Sequence, residues 1–105
     1  MTNYRLLAEN EKMNKAFPKF VLFRRGNIIG FAGELQGGSG RVYQVEVRAR
    51  ADKYPAQAPK IYIQPRVGKN WLLDGSLCVY RTWRPDRDTF AQQVLFAAAY
   101  LQKNG

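Results

Sequence analysis

The stretch Tyr43-Gln44-Val45-Glu46-Val47-Arg48-Ala49-Arg50 alternates apolar and polar residues without a break. A period of two residues is the signature of a β-strand with one buried face, so this segment predicts a strand whose outer side is wet and basic. The residues before it extend the sheet. Phe20 to Arg24 reads as a short strand, Gly26-Asn27 as a turn, and Ile28 to Gln36 as a second strand. Gly30 and Gly33 within that strand predict a bulge or a close backbone approach. Gly37-Gly38-Ser39-Gly40 reads as a flexible hairpin tip. A phosphate-binding loop would need a following Lys-Ser or Lys-Thr pair and a helix start, and neither is present.

After the alternating strand, Tyr54-Pro55 and Ala58-Pro59 mark a turn, and Lys60 to Gln64 forms a fourth strand stopped by Pro65. Two helices bracket the sheet. Thr2 or Asn3 caps a first helix running to about Phe17, where Pro18 ends it. Leu6, Met13 and Phe17 share one face of it, with Glu9, Glu11, Lys12 and Lys15 around the remainder, which predicts a helix lying on the edge of the sheet. Thr89 opens the last helix, with Gln92 placed to complete a capping box. Phe90, Val94, Ala97, Ala98 and Leu101 supply its buried side, and three consecutive alanines permit close packing. Between the fourth strand and this helix, Arg66 to Asp88 shows no sustained period. Long irregular stretches in compact domains are usually functional. The expected fold is therefore α+β in the order helix, four antiparallel strands, irregular loop, helix. With 105 residues and no internal repeat, the chain is expected to be one domain, 1–105.

Composition removes whole classes of function. Hydrophobic residues at 46% and aromatics at 13% suffice for a core, so disorder is not expected. The longest apolar run, Val94 to Leu101, has eight residues, against roughly 20 for a spanning helix. Met1 to Met13 carries Glu9 and Glu11 with no continuous apolar stretch, unlike a secretory signal. A lone cysteine suits a reducing cytoplasm. The chain has no histidine, so it cannot by itself assemble a Ser-His-Asp or Cys-His hydrolase. Zinc sites of the common types are excluded on the same ground, since Cys78 is the only thiol.

Seventeen basic residues against eight acidic ones give a net charge of +9, with no run of five or six like charges. The excess is even along the chain: nine Lys/Arg and five acids to Asp52, eight and three after it. Such a surface favours acidic partners, whether nucleic acid or protein.

Cys78 is the candidate nucleophile. A lone cysteine is more often a small buried hydrophobe. Here, however, it lies in the irregular segment Asp74-Gly75-Ser76-Leu77-Cys78-Val79-Tyr80, directly after a turn signal. Lys69, Arg81, Arg84 and Arg87 are close in sequence, and neighbouring cations favour the thiolate. An exposed sulfur is what this reading requires.

Tyr54-Pro55 with Ala58-Pro59, then a strand, then Asp74-Gly75-Ser76-Leu77-Cys78, then Trp83-Arg84-Pro85, then Thr89 opening an Ala-rich helix, resembles the ubiquitin-conjugating enzyme family. The resemblance runs in register from about Lys53 to Leu101 and in kind over nearly the whole chain. It implies a ubiquitin-conjugating-type fold in which Cys78 accepts the C-terminus of a protein as a thioester and passes it to an amine. Asn70, eight positions before Cys78, matches the family's catalytic-loop asparagine, although Gly68 and Lys69 replace the His and Pro that normally precede it. A solvated loop amide is the plain alternative for Asn70. Trp83 and Pro85 match scaffold positions. The sequence ends 27 residues after Cys78, so the family's last helices and their acidic or Ser gate residue have no counterpart.

The resemblance is closest to small prokaryotic members found beside cGAS-like nucleotidyltransferases in anti-phage (CBASS) operons. It implies that such a nucleotidyltransferase, through a C-terminal Gly-type tail, is the partner attached to an acceptor amine. No cofactor or metal is implied. Activation with ATP would fall to a separate activating enzyme, since no Walker-type loop occurs here. Two alternatives use the same residues differently. One is a non-catalytic adaptor on the same fold, with the cysteine incidental. The other is a small basic nucleic-acid binder using Arg48, Arg50, Arg81, Arg84, Arg87, Tyr80 and Trp83. No nucleic-acid motif occurs, so nucleic acid is the less expected partner, and no membrane is expected.

Overall fold

The alternating segment becomes one of the two inner strands of the sheet. In a computed structural model, which describes residues 3–105, it forms β3 (Val42–Arg50) between β2 (Ile28–Gln36) and β4 (Lys60–Gln64). β1 (Val21–Arg25) completes an antiparallel sheet in the order β1-β2-β3-β4. β1 starts one residue later than the sequence predicts, because Phe20 turns inward and its N–H closes a turn onto the Phe17 carbonyl at 3.0 Å. Two helices, α1 (Asn3–Ala16) and α2 (Phe90–Asn104), flank the sheet in sequence. Of the expected first caps, Thr2 lies outside the described residues.

Register decides which side chains meet. Val45 stands opposite Gly33 and Ile63, and Val47 opposite Phe31 and Ile61. These residues and Ile29 face α2, whose Phe90, Val94, Ala97 and Leu101 complete the core. Phe31 and Phe90 meet edge to face at 5.3 Å between ring centroids. Ala98 is only half-buried and Gln93 is buried instead, its amide donating to the Pro59 carbonyl at 2.7 Å. The opposite face, bearing Gln44, Glu46, Arg48 and Arg50, has no helix over it and is wet and basic as expected.

Three local expectations are corrected. The β2 pairing is regular, with no bulge at Gly30 or Gly33. The alternative reading, close approach, holds: a Cβ at Gly33 would lie 2.6 Å from the Phe20 ring, and one at Gly30 would strike Phe23 and the Val47 carbonyl. The glycine-rich tip is docked, since the Gly38 N–H donates to the Leu101 carbonyl at 3.0 Å. A Cβ at Gly38 would come within 2.4 Å of the Gln102 carbonyl oxygen, so the small residues there serve contact with the end of α2. α1 packs beside α2 and not on a sheet edge, with Met13 fully buried between them and the sheet.

Glu9 explains that placement. It falls between Leu6 and Met13 on the buried stripe and is itself buried, not part of the solvated remainder of the helix. Its Oε1 accepts the Phe90 N–H at 2.7 Å, one of the unsatisfied donors at the start of α2. Its Oε2 accepts from Arg5 Nε at 3.0 Å and from the Tyr54 hydroxyl. A carboxylate at a helix N-terminus is favoured by the helix dipole as well as by the hydrogen bond. The Thr89 N–H donates to Gln92 Oε1 at 3.2 Å, so the expected capping residue also contributes. No helix among the described residues is long and apolar enough to cross a membrane.

Candidate active site

The segment after β4 contains more order than its composition predicts. Trp71 and Leu77 form an isolated antiparallel bridge. The Leu72 N–H donates to Ser76 O at 2.8 Å, and the Cys78 N–H donates to Asn70 O at 2.7 Å. Residues 70–78 are thus a small hairpin closed by the turn Leu72-Leu73-Asp74-Gly75, in which the Gly75 N–H reaches Leu72 O at 3.0 Å. Gly75 has φ of 90°, a conformation that side-chain-bearing residues rarely adopt.

Asp74 locks the turn. Its Oδ1 accepts from the Ser76 N–H at 2.9 Å and the Ser76 hydroxyl at 2.6 Å, and its Oδ2 pairs with Lys60 Nζ on β4. The Lys60 ammonium, together with the two Ser76 donors, holds the Asp74 carboxyl well below the usual carboxylate range. A depressed carboxylate stabilises the fold fully above its unfolded value of 3.8 and loses that contribution as pH falls below it. The Asp74→Asn protein should therefore be less stable than the parent at neutral pH, with the gap closing as pH drops below 3.8. Urea midpoints across that range check this. A gap that stays constant or widens in acid would remove Asp74 from this role.

The hairpin is anchored to the sheet by the Leu77 N–H, which donates to Ile61 O on β4 at 2.8 Å, and by burial of Leu77 and Ser76. Cys78, the next residue, is therefore carried on a fixed element. It is half-buried, neither sealed in the core nor fully open. An apolar groove of about 190 Å3 lies against the side of this segment that carries Leu77 and Val79, with Leu72 and Trp83 also lining it; Cys78, between them in sequence, is not among its lining residues. Leu72, Leu73 and Tyr80, all exposed, project from the same hairpin and its exit.

Asn70 and Cys78, the two sequence-predicted site residues, stand opposite each other next to the Trp71–Leu77 bridge, joined by one backbone bond from the Cys78 N–H to the Asn70 carbonyl. The Asn70 side chain is exposed.

Three of the four expected cations, Arg81, Arg84 and Arg87, line one depression, and Cys78 is not among its lining residues. Arg81 is held by Asp88, with Gln92 Oε1 also accepting from it at 3.3 Å. The depression lies beside the start of α2, where Asp88 and Gln92 also line it. Trp83 acts as scaffold: its Nε1 donates to Pro55 O at 2.7 Å and its ring lies 6.0 Å from that of Tyr54. Pro85 offers its carbonyl to Arg5 Nη1 at 2.5 Å.

Three supporting residues escape the sequence reading. Asp88, buried, accepts the Arg84 N–H at 2.7 Å and so closes the 84–88 turn. Arg5 reaches from α1 to the Asp88 carbonyl at 2.7 Å, tying that turn to the first helix. Glu9 with Tyr54 completes the tie, and burial, with the Glu9 carboxylate next, pushes the Tyr54 phenol far above the ordinary tyrosine value. Tyr54 is thus a permanent hydrogen-bond donor. A carboxylate inside an apolar stripe of α1 was the available signal for Glu9. No group of His, Cys, Asp and Glu that could hold a metal ion occurs among the described residues.

Comparison with protein-family models, with curated proteins and with solved structures returns no significant match. The site must be read from its own geometry.

Proposed function

We propose that the chain is a thioester-forming acyl transferase of the ubiquitin-conjugating type, with Cys78 as the acceptor. The observation that carries this reading is the hairpin: it sets a partly exposed thiol directly across from Asn70, on an element anchored to the sheet through Leu77. The order of helix, four-stranded meander, cysteine-bearing segment and final helix also supports it.

In the first step the Cys78 thiolate attacks the carbonyl carbon of an activated C-terminal glycine. A carbon–sulfur bond forms and the donor's thiolate leaves. Exchange between thiols is nearly isoenergetic, so positioning matters more than a strong base. In the second step an amine attacks the same carbon, the Cys78 thiolate departs and the amine proton passes to solvent. The oxyanion formed on the way needs hydrogen-bond donors, and the exposed Asn70 amide is the side chain suited to supply one. A tail from a cGAS-like nucleotidyltransferase, activated by a separate enzyme in a reducing cytoplasm, is the donor this reading favours.

The test uses a synthetic peptide ending in a glycine thioester. Intact-mass analysis should show the peptide on the native chain, removable by thiol reductant, and absent from Cys78→Ala. Because any thiol exchanges slowly, the native rate should exceed that of the urea-unfolded chain by about tenfold through positioning. Equal rates in the two states would reject the enzyme and leave an adaptor on this scaffold.

A further inference from the structure

The open face of the sheet carries a cavity of about 520 Å3 that the reaction proposed for Cys78 does not use. Five cations line it, Arg25, Arg48, Arg50, Lys53 and Lys60, and no carboxylate does. Strand register assembles them from separate stretches of sequence. Arg48 on β3 stands directly opposite Lys60 on β4, while Arg25 on β1 and Arg50 on β3 both stand opposite Ile28 on β2. Like charges placed directly across a strand pair oppose folding. Carboxylates at the margin offset part of this: Glu46 takes Arg25 and Arg48, Asp52 takes Arg50, and Asp74 takes Lys60. Five cations against three carboxylates leave an excess, and Lys53 has no ion pair among the described residues.

The rest of the lining is neither charged nor uniformly polar. Ile28, Ala49 and Ala58 supply apolar surface. The Arg48 guanidinium lies over the Tyr62 ring, 4.0 Å from its centroid, which presents a flat cationic plate. Guanidinium planes stack on nucleobases, and arginines bind phosphate in a bidentate manner. We propose that this cavity binds a nucleoside phosphate, with the phosphate at Arg25, Arg50 and Lys53 and the base on the Arg48–Tyr62 plate. The volume lies within the range of small-molecule sites. The nucleotide is either free or part of an unpaired strand; an acidic peptide would find the charges but no use for the plate.

The experiment is an amide-resolved NMR titration of the full chain at low salt with four probes: AMP, a 5′-phosphorylated hexadeoxyadenylate, inorganic phosphate and hexaglutamate. Saturable shifts should centre on Arg25, Arg48 to Lys53, Lys60 and Tyr62. At least one nucleotide probe should bind about tenfold more tightly than phosphate or hexaglutamate, and more weakly as salt is raised. AMP binding as tightly as the hexamer assigns the site to a free nucleotide, and the hexamer alone to an unpaired strand; either supports the proposal. Arg50→Glu/Lys53→Glu should lose about tenfold in affinity, whereas Arg84→Glu/Arg87→Glu, with the same net charge, should not. Should the first pair unfold, Lys53→Glu alone replaces it. Cys78→Ala should bind like the parent, which keeps this result separate from the thioester reading. Hexaglutamate binding as tightly as the nucleotides, equal losses in the two charge-reversed pairs, or no saturable shifts would overturn the proposal.

Discussion

Replacing Glu9 with alanine should cost about 3 kcal/mol of folding stability, the largest loss expected from any single exposed-or-polar substitution, because one side chain serves three elements. Its removal leaves the Phe90 N–H at the start of α2 and the Tyr54 hydroxyl proton without their acceptor, and takes one of several partners from Arg5. Phe90 and Tyr54 are both buried, so water cannot readily take the carboxylate's place. Arg5 is about a quarter exposed and also binds the Pro85 and Asp88 carbonyls, which limits what its share adds. Glu9→Gln keeps one acceptor oxygen and should lose roughly half as much. Urea unfolding at neutral pH measures both. A loss below about 1 kcal/mol for Glu9→Ala would mean that the α1–α2 junction is held by packing alone.

The same junction shows where sequence reading stops. The strand alternation through Val45 and Val47 assigns every residue of β3 to a face, since a one-residue slip would bury Glu46 and Arg48. Thr89 and Gln92 mark the start of α2 because a capping pair is local chemistry. Glu9 lies 81 residues from Phe90; its place in an apolar stripe marks it as unusual, but nothing local names Phe90 as its partner. The hairpin that presents Cys78 is similarly quiet. It rests on single backbone bonds at Asn70, Leu72 and Leu77, with no periodic apolar face to reveal pairing. The spacing of Asn70 and Cys78 was visible, but their direct opposition depends on the tight turn at Asp74 and Gly75. The basic cavity is the extreme case: Arg25, Arg48 and Lys60 become neighbours only when register is set, and a count of charges cannot find them.

Asn70→Ala separates positioning from chemistry in the proposed reaction. The bond that aligns Cys78 runs from its N–H to the Asn70 main-chain oxygen, so it survives loss of the side chain. Loading of Cys78 from a thioester should fall far less than aminolysis, since a thiolate is both a strong nucleophile and a good leaving group and the exchange is nearly isoenergetic. Aminolysis of the loaded thioester by free lysine should fall about 100-fold, the usual cost of removing one donor from a developing oxyanion. Asn70→Asp should fall at least as far, because a carboxylate offers no proton to the oxyanion and repels its charge. Single-turnover discharge, followed by intact mass after removal of excess donor, isolates this step from loading. An equal fall in both steps would give Asn70 a purely structural part. Unchanged aminolysis would shift the oxyanion to backbone donors of the hairpin, leaving Cys78 as the one side chain the chemistry needs.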